Sequence, residues 1–337
     1  MIDRLTLAFL LLVAAPTGWA QSFADLAADA SPSRHQRLVE GAKKEGSLTL
    51  YTSNAAPTLK LLAADFEKRY GVRVEAWRAS SAKVLQRLGA EKTANRWEFD
   101  AVGVSSPELE ALYRENLLQE VSSSLHKEMR EGSVPKHRGW APQFINVFVQ
   151  AYNTNAVKKQ ELPKQWADLL DARWKGRLGV EAKAGEWYCS LLKDLGEKKG
   201  GELLRQIAAR NGFSVRNGNS VLANMVVSGE VPFALAVYSH MIDEAKDKGA
   251  PVEWFALEPM IGRANGVGVS RKPPHPHAAL LFYEYLLREG QPLIMQLHYL
   301  SPLKSAATSK KLVFVDPATD SAEVERCDRA YDALIRK

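Results

Sequence analysis

The sequence contains few cysteines and lacks the motifs that mark the common enzyme classes. Its 337 residues include only Cys189 and Cys327, which excludes a small disulfide-stapled fold and a four-cysteine zinc or iron–sulfur site. It has no HExxH zinc motif, GxSxG nucleophile elbow, GxxxxGKS/T phosphate loop or GxGxxG dinucleotide turn. We therefore expect no catalytic residues, no cofactor and no resident metal. The alternative is a secreted enzyme of unknown type.

Charge of one sign is not in large excess either. There are 45 Lys and Arg residues against 39 Asp and Glu, a formal net charge of +6. The basic residues are scattered in pairs, such as Lys43-Lys44 and Lys198-Lys199, rather than gathered in one stripe. This distribution predicts no nucleic-acid partner. The small positive excess favours an anionic solute over a cationic one.

Long hydrophobic runs are also missing. The apolar run from Leu5 to Ala15 has 11 residues, whereas a membrane-spanning helix needs about 20. Arg4 precedes the run. In Gly18-Trp19-Ala20, which follows it, small residues stand at the first and third positions, as in a secretory signal peptide cleaved after Ala20. We therefore expect export to the periplasm. In that oxidising compartment the two cysteines either form a disulfide or remain two buried thiols, and the sequence leaves both alternatives open.

Strands and helices are predicted to alternate along the chain. Ser47–Tyr51, Val72–Trp77 and Phe99–Val104 have strand character, and a helical pattern follows each of them. Such alternation predicts an α/β fold with a parallel sheet covered on both faces. Pro, His, Arg and Gly interrupt it at 134–140. The apolar run Phe144–Tyr152 is long enough to pass between two domains, and a second α/β set follows it.

Small hydroxyl and amide residues stand where predicted strands give way to helices, at Thr52–Asn54, Ser80–Ser81, Ser105–Ser106 and Gly218–Ser220. Ordinary helix capping is one explanation. In a parallel sheet, however, these junctions lie at the carboxyl ends of the strands and converge on one crevice. Unpaired N–H groups and helix dipoles there suit anions. Arg78 could pair with a carboxylate or phosphate, or form a surface ion pair.

Several short motifs occur in a specific order over residues 38–310. They are GSLTLYTS (46–53), FEKRYGV (66–72), FDAVGV (99–104), YNTN (152–155), WADLLDARWKGR (166–177), GAPVE (249–253) and LSP (300–302). Together they resemble the periplasmic solute-binding proteins of ABC importers, in the ferric-iron-type branch. The resemblance implies a two-lobed type 2 periplasmic-binding-protein fold, with two doubly wound mixed sheets joined by crossover strands.

The same resemblance implies how the chain is divided and what it does. Residues 21–142 and 260–337 would form the first lobe and residues 143–259 the second lobe, after a signal peptide at 1–20. A small solute would be held between the lobes and delivered to an inner-membrane ABC permease. We expect the protein to be a monomer. The predicted solute-binding residues are Thr52, Ser53, Asn54, Arg78, Ser80, Ser81, Ser105 and Ser106 in the first lobe, and Glu186, Trp187, Ser220, Tyr238 and His240 in the second.

The sequence departs from the ferric-binding pattern at the residues that would hold iron. Ferric-binding members typically present a Tyr-Tyr pair where this chain has Tyr238-Ser239, and neutral hydroxyls are poor ligands for a hard cation. We therefore expect an anionic organic solute, such as a phosphorylated or phosphonate compound, with Trp187 and Tyr238 beside its organic part. The alternatives are ferric iron at an atypical site with Tyr238 and His240, and a periplasmic sensor subunit.

Overall fold

The computed structural model describes residues 22–306, 308 and 310–336. The predicted signal peptide and its cleavage point lie outside these residues. Within the described part of the chain, no helix has both the length and the apolar character that a membrane span requires. The helices are α1 (Phe23–Ala28), α2 (Arg34–Glu45), α3 (Ala56–Tyr70), α4 (Ser81–Thr93), α5 (Ser106–Arg114), α6 (Gly185–Leu195), α7 (Glu197–Asn211), α8 (Asn219–Ser228), α9 (Ser239–Asp247), α10 (Pro276–Leu287), α11 (Gln291–Gln296) and α12 (Ser321–Ile335).

The strands form one mixed sheet that runs through both halves of the molecule. Its main path is β2-β1-β3-β10-β5-β8-β6-β7, with β4 and β11 paired to β10 and β9 paired to β5. The strands are β1 (Ser47–Thr52), β2 (Arg73–Arg78), β3 (Ala101–Ser105), β4 (Leu118–Gln119), β5 (Ala141–Asn153), β6 (Leu178–Glu181), β7 (Ser214–Arg216), β8 (Phe233–Tyr238), β9 (Val252–Phe255), β10 (Met260–Ser270) and β11 (Leu312–Phe314).

Two long strands carry the chain between the lobes, as expected for this fold. β5 and β10 pair antiparallel with each other; β10 also pairs with β3, and β5 with β8. Every residue of β5 is buried, because the strand lies in the middle of the sheet with both faces covered. The two-lobed α/β architecture is confirmed. The sheets of the two lobes are continuous through these two strands.

Each lobe has its own aromatic core. In the first lobe, α10 packs against α2, and Phe66 lies 5.0 Å from Phe282 and 5.2 Å from Tyr285 between ring centroids. In the second lobe, Trp174 lies 4.9 Å from Phe233. Packing in these two cores holds the strand ends of each lobe in position.

The C-terminal helix corrects the expected division of the chain. Residues 260–337 were assigned to the first lobe, but α12 packs against α6 of the second lobe. Cys327 is buried there and forms a disulfide with Cys189, with 5.8 Å between their Cα atoms. The Tyr331 hydroxyl donates to the backbone oxygen of Glu181 at 2.6 Å. The apolar stripe of α12 therefore completes the core of the second lobe, and the chain passes between the lobes three times. Below, the first lobe means β1–β4, α1–α5, α10 and α11, and the second lobe means β6–β9, α6–α9 and α12.

Candidate functional site

A groove of about 910 Å³ separates the two lobes. The start of α3 and the segment after α11 line it from the first lobe, and α8 and α9 line it from the second. Ser220 and His240 are the two predicted site residues on its wall, and Thr58 and Tyr299 lie among the first-lobe residues. The groove is wide enough to take a small solute.

Three predicted hydroxyls come together at the strand ends of the first lobe. Ser81 Oγ donates to Ser53 Oγ at 2.9 Å and lies 3.2 Å from Ser105 Oγ. The Ser105 N–H also donates to Ser81 Oγ, at 3.3 Å. These residues follow or end three neighbouring strands, each of which leads into a helix. We call Ser53, Ser81 and Ser105 the hydroxyl cluster.

The hydroxyl cluster does not cap its helices. Ser105 precedes α5 without a side-chain capping bond, whereas Ser80 is an ordinary cap and accepts the Lys83 N–H at 3.4 Å. Ser106 is buried, and its Oγ has no hydrogen-bond partner within the described chain. Among the predicted serines, Ser80 thus serves as a helix cap, whereas the hydroxyls of the hydroxyl cluster do not and can make other contacts.

Thr52 and Asn54 hold the loop between β1 and α3 in place. Thr52 is fully buried; its Oγ1 donates to the Gly103 backbone oxygen at 2.8 Å and accepts the Asn54 N–H at 3.1 Å. The Asn54 amide exchanges two 3.2 Å hydrogen bonds with Gln143 on β5. Gln143 in turn donates to Asn265 Oδ1 on β10 at 2.6 Å. Thr52 and Asn54 therefore position the hydroxyl cluster against the crossover strands, through a glutamine that the sequence analysis missed.

Arg78 lies at the end of β2, the edge strand of the first lobe, opposite Thr52 in the ladder with β1. Its side chain is exposed and forms no ion pair with any other described residue. Its predicted pairing with an anion remains a prediction.

In the second lobe, the carboxylate of Glu181 already accepts hydrogen bonds from backbone N–H groups near the helix starts. Glu181 ends β6 and is buried; its Oε1 accepts the Gly218 N–H at 2.9 Å and its Oε2 the Lys183 N–H at 2.7 Å. Gly218 is the N-cap residue of α8. The positive end of that helix is thus neutralised internally, although Ser220, two residues after Gly218, remains exposed. Glu181 is not among the residues predicted from the sequence.

Contacts between aromatic rings connect the second lobe to the crossover strand β5 and to the first lobe. The Tyr238 ring lies 4.7 Å from Phe148 on β5 and 5.7 Å from His240, and His240 lies 4.3 Å from Tyr299. Burial raises the pKa of the Tyr238 phenol to about 12 and lowers the pKa of the His240 imidazole to about 4. Both side chains are therefore uncharged at neutral pH.

Trp187 does not line the groove. It is 2% exposed and packs in the core of the second lobe, 5.9 Å from Trp166 and 6.5 Å from Tyr331 between ring centroids. The expectation that it lies beside the solute is wrong, because this face of α6 is covered by α12. Glu186, one residue earlier, points instead toward β10 and contacts Arg263.

Arg263 is a further charged residue of the interlobe region that the sequence analysis missed. It lies on β10; its Nη1 donates to Glu186 Oε2 at 3.3 Å, and its guanidinium carbon is 5.6 Å from the Tyr238 ring centroid. Glu108, in the first turn of α5, approaches from the first lobe, and burial raises the pKa of its carboxyl. Arg263 is the single charged residue in the strand Met260–Ser270, and that pattern could have marked it.

The described residues gather no group of three or more His, Cys, Asp or Glu side chains that could hold a metal ion. Tyr238 and His240, the two predicted ligands for an atypical ferric site, do lie side by side. A metal bound there would need further ligands besides these two side chains.

Comparison with known proteins gives consistent matches. Residues 101–289 match the family model of the bacterial extracellular solute-binding proteins. The chain is 25% identical over 293 residues to iron uptake protein A1 of Synechocystis, covering 80% of this chain and 79% of that protein.

Two solved structures resemble the fold closely. Iron-bound HitA from Pseudomonas aeruginosa has a TM-score of 0.69 at 22% identity, and Trichodesmium IdiA (FutA) in complex with iron and citrate has 0.67 at 18%. Each match covers 86% of this chain and 98% of the other. The expected resemblance to the ferric-iron-type branch is confirmed. Since the family model spans more than half of the sequence, the chain belongs to the bacterial extracellular solute-binding proteins.

Proposed function

We propose that this chain is the substrate-binding component of an ABC importer and that it captures a small anionic solute between its lobes. Its family supports the coarser part of this proposal, and the hydroxyl cluster carries the finer part. Ser53, Ser81 and Ser105 meet where three helices begin, and none of their hydroxyls serves as a cap. Hydroxyl donors beside helix N-termini suit a carboxylate or phosphate group.

The groove supports capture by lobe closure. A solute that contacts both lobes favours the closed arrangement only through its additional affinity for that arrangement. Shifting closure from 1:99 to 99:1 requires about 5.5 kcal/mol of differential binding. Hydrogen bonds to a charged group contribute about 1.5–3 kcal/mol each, so two to four of them are enough. The closed form would then be recognised by the inner-membrane permease.

A second candidate solute is ferric iron carried together with an organic anion. The relatives named above include an iron uptake protein and a structure with iron and citrate. This chain has Tyr238-Ser239 where ferric-binding members typically have a tyrosine pair, so the anion would have to supply further oxygen ligands. In this arrangement the hydroxyl cluster would hold the anion, and Tyr238 would approach the metal. The phosphorylated or phosphonate solute expected from the sequence has no such support among the relatives.

A thermal-shift and calorimetric screen tests the proposal. The probes are sodium citrate, ferric citrate, glycerol 3-phosphate and inorganic phosphate. A probe at 100 times its Kd should stabilise the protein by about 2.7 kcal/mol. Binding of ferric citrate without binding of citrate alone would favour the second candidate, and a new visible absorption band from the Tyr238 phenolate would support it further.

Matched serine variants locate the anion. Ser81→Ala removes the central hydroxyl of the cluster and should weaken binding at least tenfold. Ser80→Ala removes a cap and should cost about 1 kcal/mol of folding stability without changing the affinity. The proposal fails if no probe stabilises the wild type. Its placement of the anion fails if Ser81→Ala binds as tightly as the wild type.

A further inference from the structure

Arg263 lies where both lobes and the crossover strand meet. It is on β10, opposite Asn146 of β5 in the antiparallel ladder, so the two side chains are on the same face of the sheet. Glu186 from the second lobe accepts its Nη1–H at 3.3 Å. The Glu108 carboxyl of the first lobe interacts electrostatically with the Arg263 guanidinium. The guanidinium also lies near the Tyr238 ring.

The hydrogen-bonding capacity of Arg263 is largely unused. A guanidinium has five N–H donors, yet this side chain makes only the bond to Glu186 within the described part of the chain. Its Nε is buried and has no hydrogen-bond partner among the residues that the structure describes. The side chain as a whole is still 26% exposed, so a small solute can reach it.

An arginine with a structural role looks different in this molecule. The guanidinium of Arg87 lies 4.3 Å from the Tyr51 ring and 4.4 Å from the Trp77 ring, and its Nε donates to Glu91 at 2.7 Å. Rings on two sides and a short ion pair hold that cation in place. Arg263 has one ring and one long hydrogen bond.

We propose that Arg263 selects anionic solutes and that Glu186 occupies it in their absence as an internal competitor. This inference rests on the proposed function. A carboxylate or phosphate entering between the lobes takes the place of the Glu186 carboxylate and fills the open guanidinium donors with two parallel hydrogen bonds. Burial raises the pKa of the Glu108 carboxyl, and the nearby Arg263 guanidinium acts in the opposite direction.

The competitor role gives an unusual expectation for Glu186→Gln. Removing the charge that Arg263 now holds should strengthen binding of citrate or glycerol 3-phosphate about fivefold. Arg263→Ala should weaken binding at least thirtyfold. Arg263→Lys should fall between the wild type and Arg263→Ala, because an ammonium keeps the charge but loses the planar fork. Calorimetric titration of all three variants measures these changes.

The ion pair Arg288–Glu128, with 3.4 Å between Nη2 and Oε1, supplies the control. Glu128→Gln and Arg288→Ala remove a pair of similar spacing and should leave the affinity unchanged. A purely structural role for Arg263 predicts that Glu186→Gln lowers the melting temperature without raising the affinity, and that result overturns the inference. Weaker binding by Glu186→Gln overturns it too, since Glu186 would then be a solute ligand.

The two proposals fail in distinguishable ways. If the wild type binds none of the anionic probes, both are wrong. If the wild type binds and Arg263→Ala binds equally well, the carrier function stands and the role of Arg263 is wrong. Should Arg263→Ala not fold, the opposite signs expected from Glu186→Gln and Arg263→Lys still decide the matter.

Discussion

The strand ends of the two lobes carry different chemistry, although both were predicted from the same sequence pattern. The first lobe presents neutral hydroxyls that do not cap their helices, Ser53, Ser81 and Ser105. The second lobe presents carboxylates, and Glu181 already accepts the backbone donors of Lys183 and Gly218. The N–H groups at a helix start are therefore available to an external anion only where no neighbouring strand already supplies a carboxylate.

The same comparison bears on what a bound solute must look like. A group facing the first lobe meets hydrogen-bond donors without formal charge, whereas a group facing the second lobe meets Glu186 held on Arg263. An oxyanion suits the first surface directly. On the second surface it would have to displace the Glu186 carboxylate from Arg263, which is the exchange proposed above.

The largest expected difference between the lobes concerns the disulfide. Among the described residues a covalent cross-link occurs only in the second lobe, where Cys189–Cys327 closes a loop of 138 positions. Replacing both cysteines by serine should lower the free energy of unfolding by about 4–5 kcal/mol. Urea unfolding followed by tryptophan fluorescence measures the loss. Reductant should reproduce it in the wild type and have no effect on the double variant; equal midpoints for both proteins would contradict the prediction.

A smaller effect is expected from Glu181→Ala. This change leaves two backbone N–H groups without their charged acceptor, so the free energy of unfolding should fall by about 2–3 kcal/mol. The freed donors should also make inorganic phosphate stabilise the variant more than the wild type. The control is Glu253→Ala, which removes an exposed ion pair with Lys246 and should cost less than about 1 kcal/mol. Equal losses for the two variants would show that Glu181 does not neutralise the start of α8.

An effect that is absent at neutral pH and confined to acid pH concerns His240. Burial holds its pKa at about 4, below the ordinary value of 6.5, so only the unfolded chain takes up this proton between those values. Stability should therefore fall as pH drops from 6.5 to 4. His240→Phe keeps a ring beside Tyr238 and should make that acid slope shallower. Urea unfolding at pH 7 and pH 4.5 measures this slope. The pH dependence of stability that remains in the variant comes in part from His126 of the first lobe, because burial also lowers the pKa of that imidazole to about 4.

Much of the architecture could be predicted, because hydrophobic periodicity and turn residues are local properties. The apolar run Phe144–Tyr152 lies within β5, and Gly46 ends α2 in the left-handed conformation, with φ 76°. The convergence of the serines also follows from topology, since strand ends of a parallel sheet share one edge. What the pattern could not say is which serines would cap and which would not.

The remaining features depend on contacts between distant segments. α12 buries one face against α6, and nothing in the local sequence of α12 reveals that α6 is its partner. Trp187 was misplaced for the same reason, because α12 covers it. Arg263 and Glu181 act through partners 77 and 37 positions away along the chain, at distances over which sequence spacing carries no information.

Because the chain passes between the lobes three times, their junction bends as a set of paired strands and not as a flexible hinge. β5, β10 and β11 lie side by side, and irregularities interrupt the pairing at Asn265–Gly266 and at Val149–Ala151. Bulges of this kind concentrate bending in a sheet. If the proposed lobe closure occurs, these strands have to bend together, and the energy of bending them would be subtracted from the binding energy of the solute.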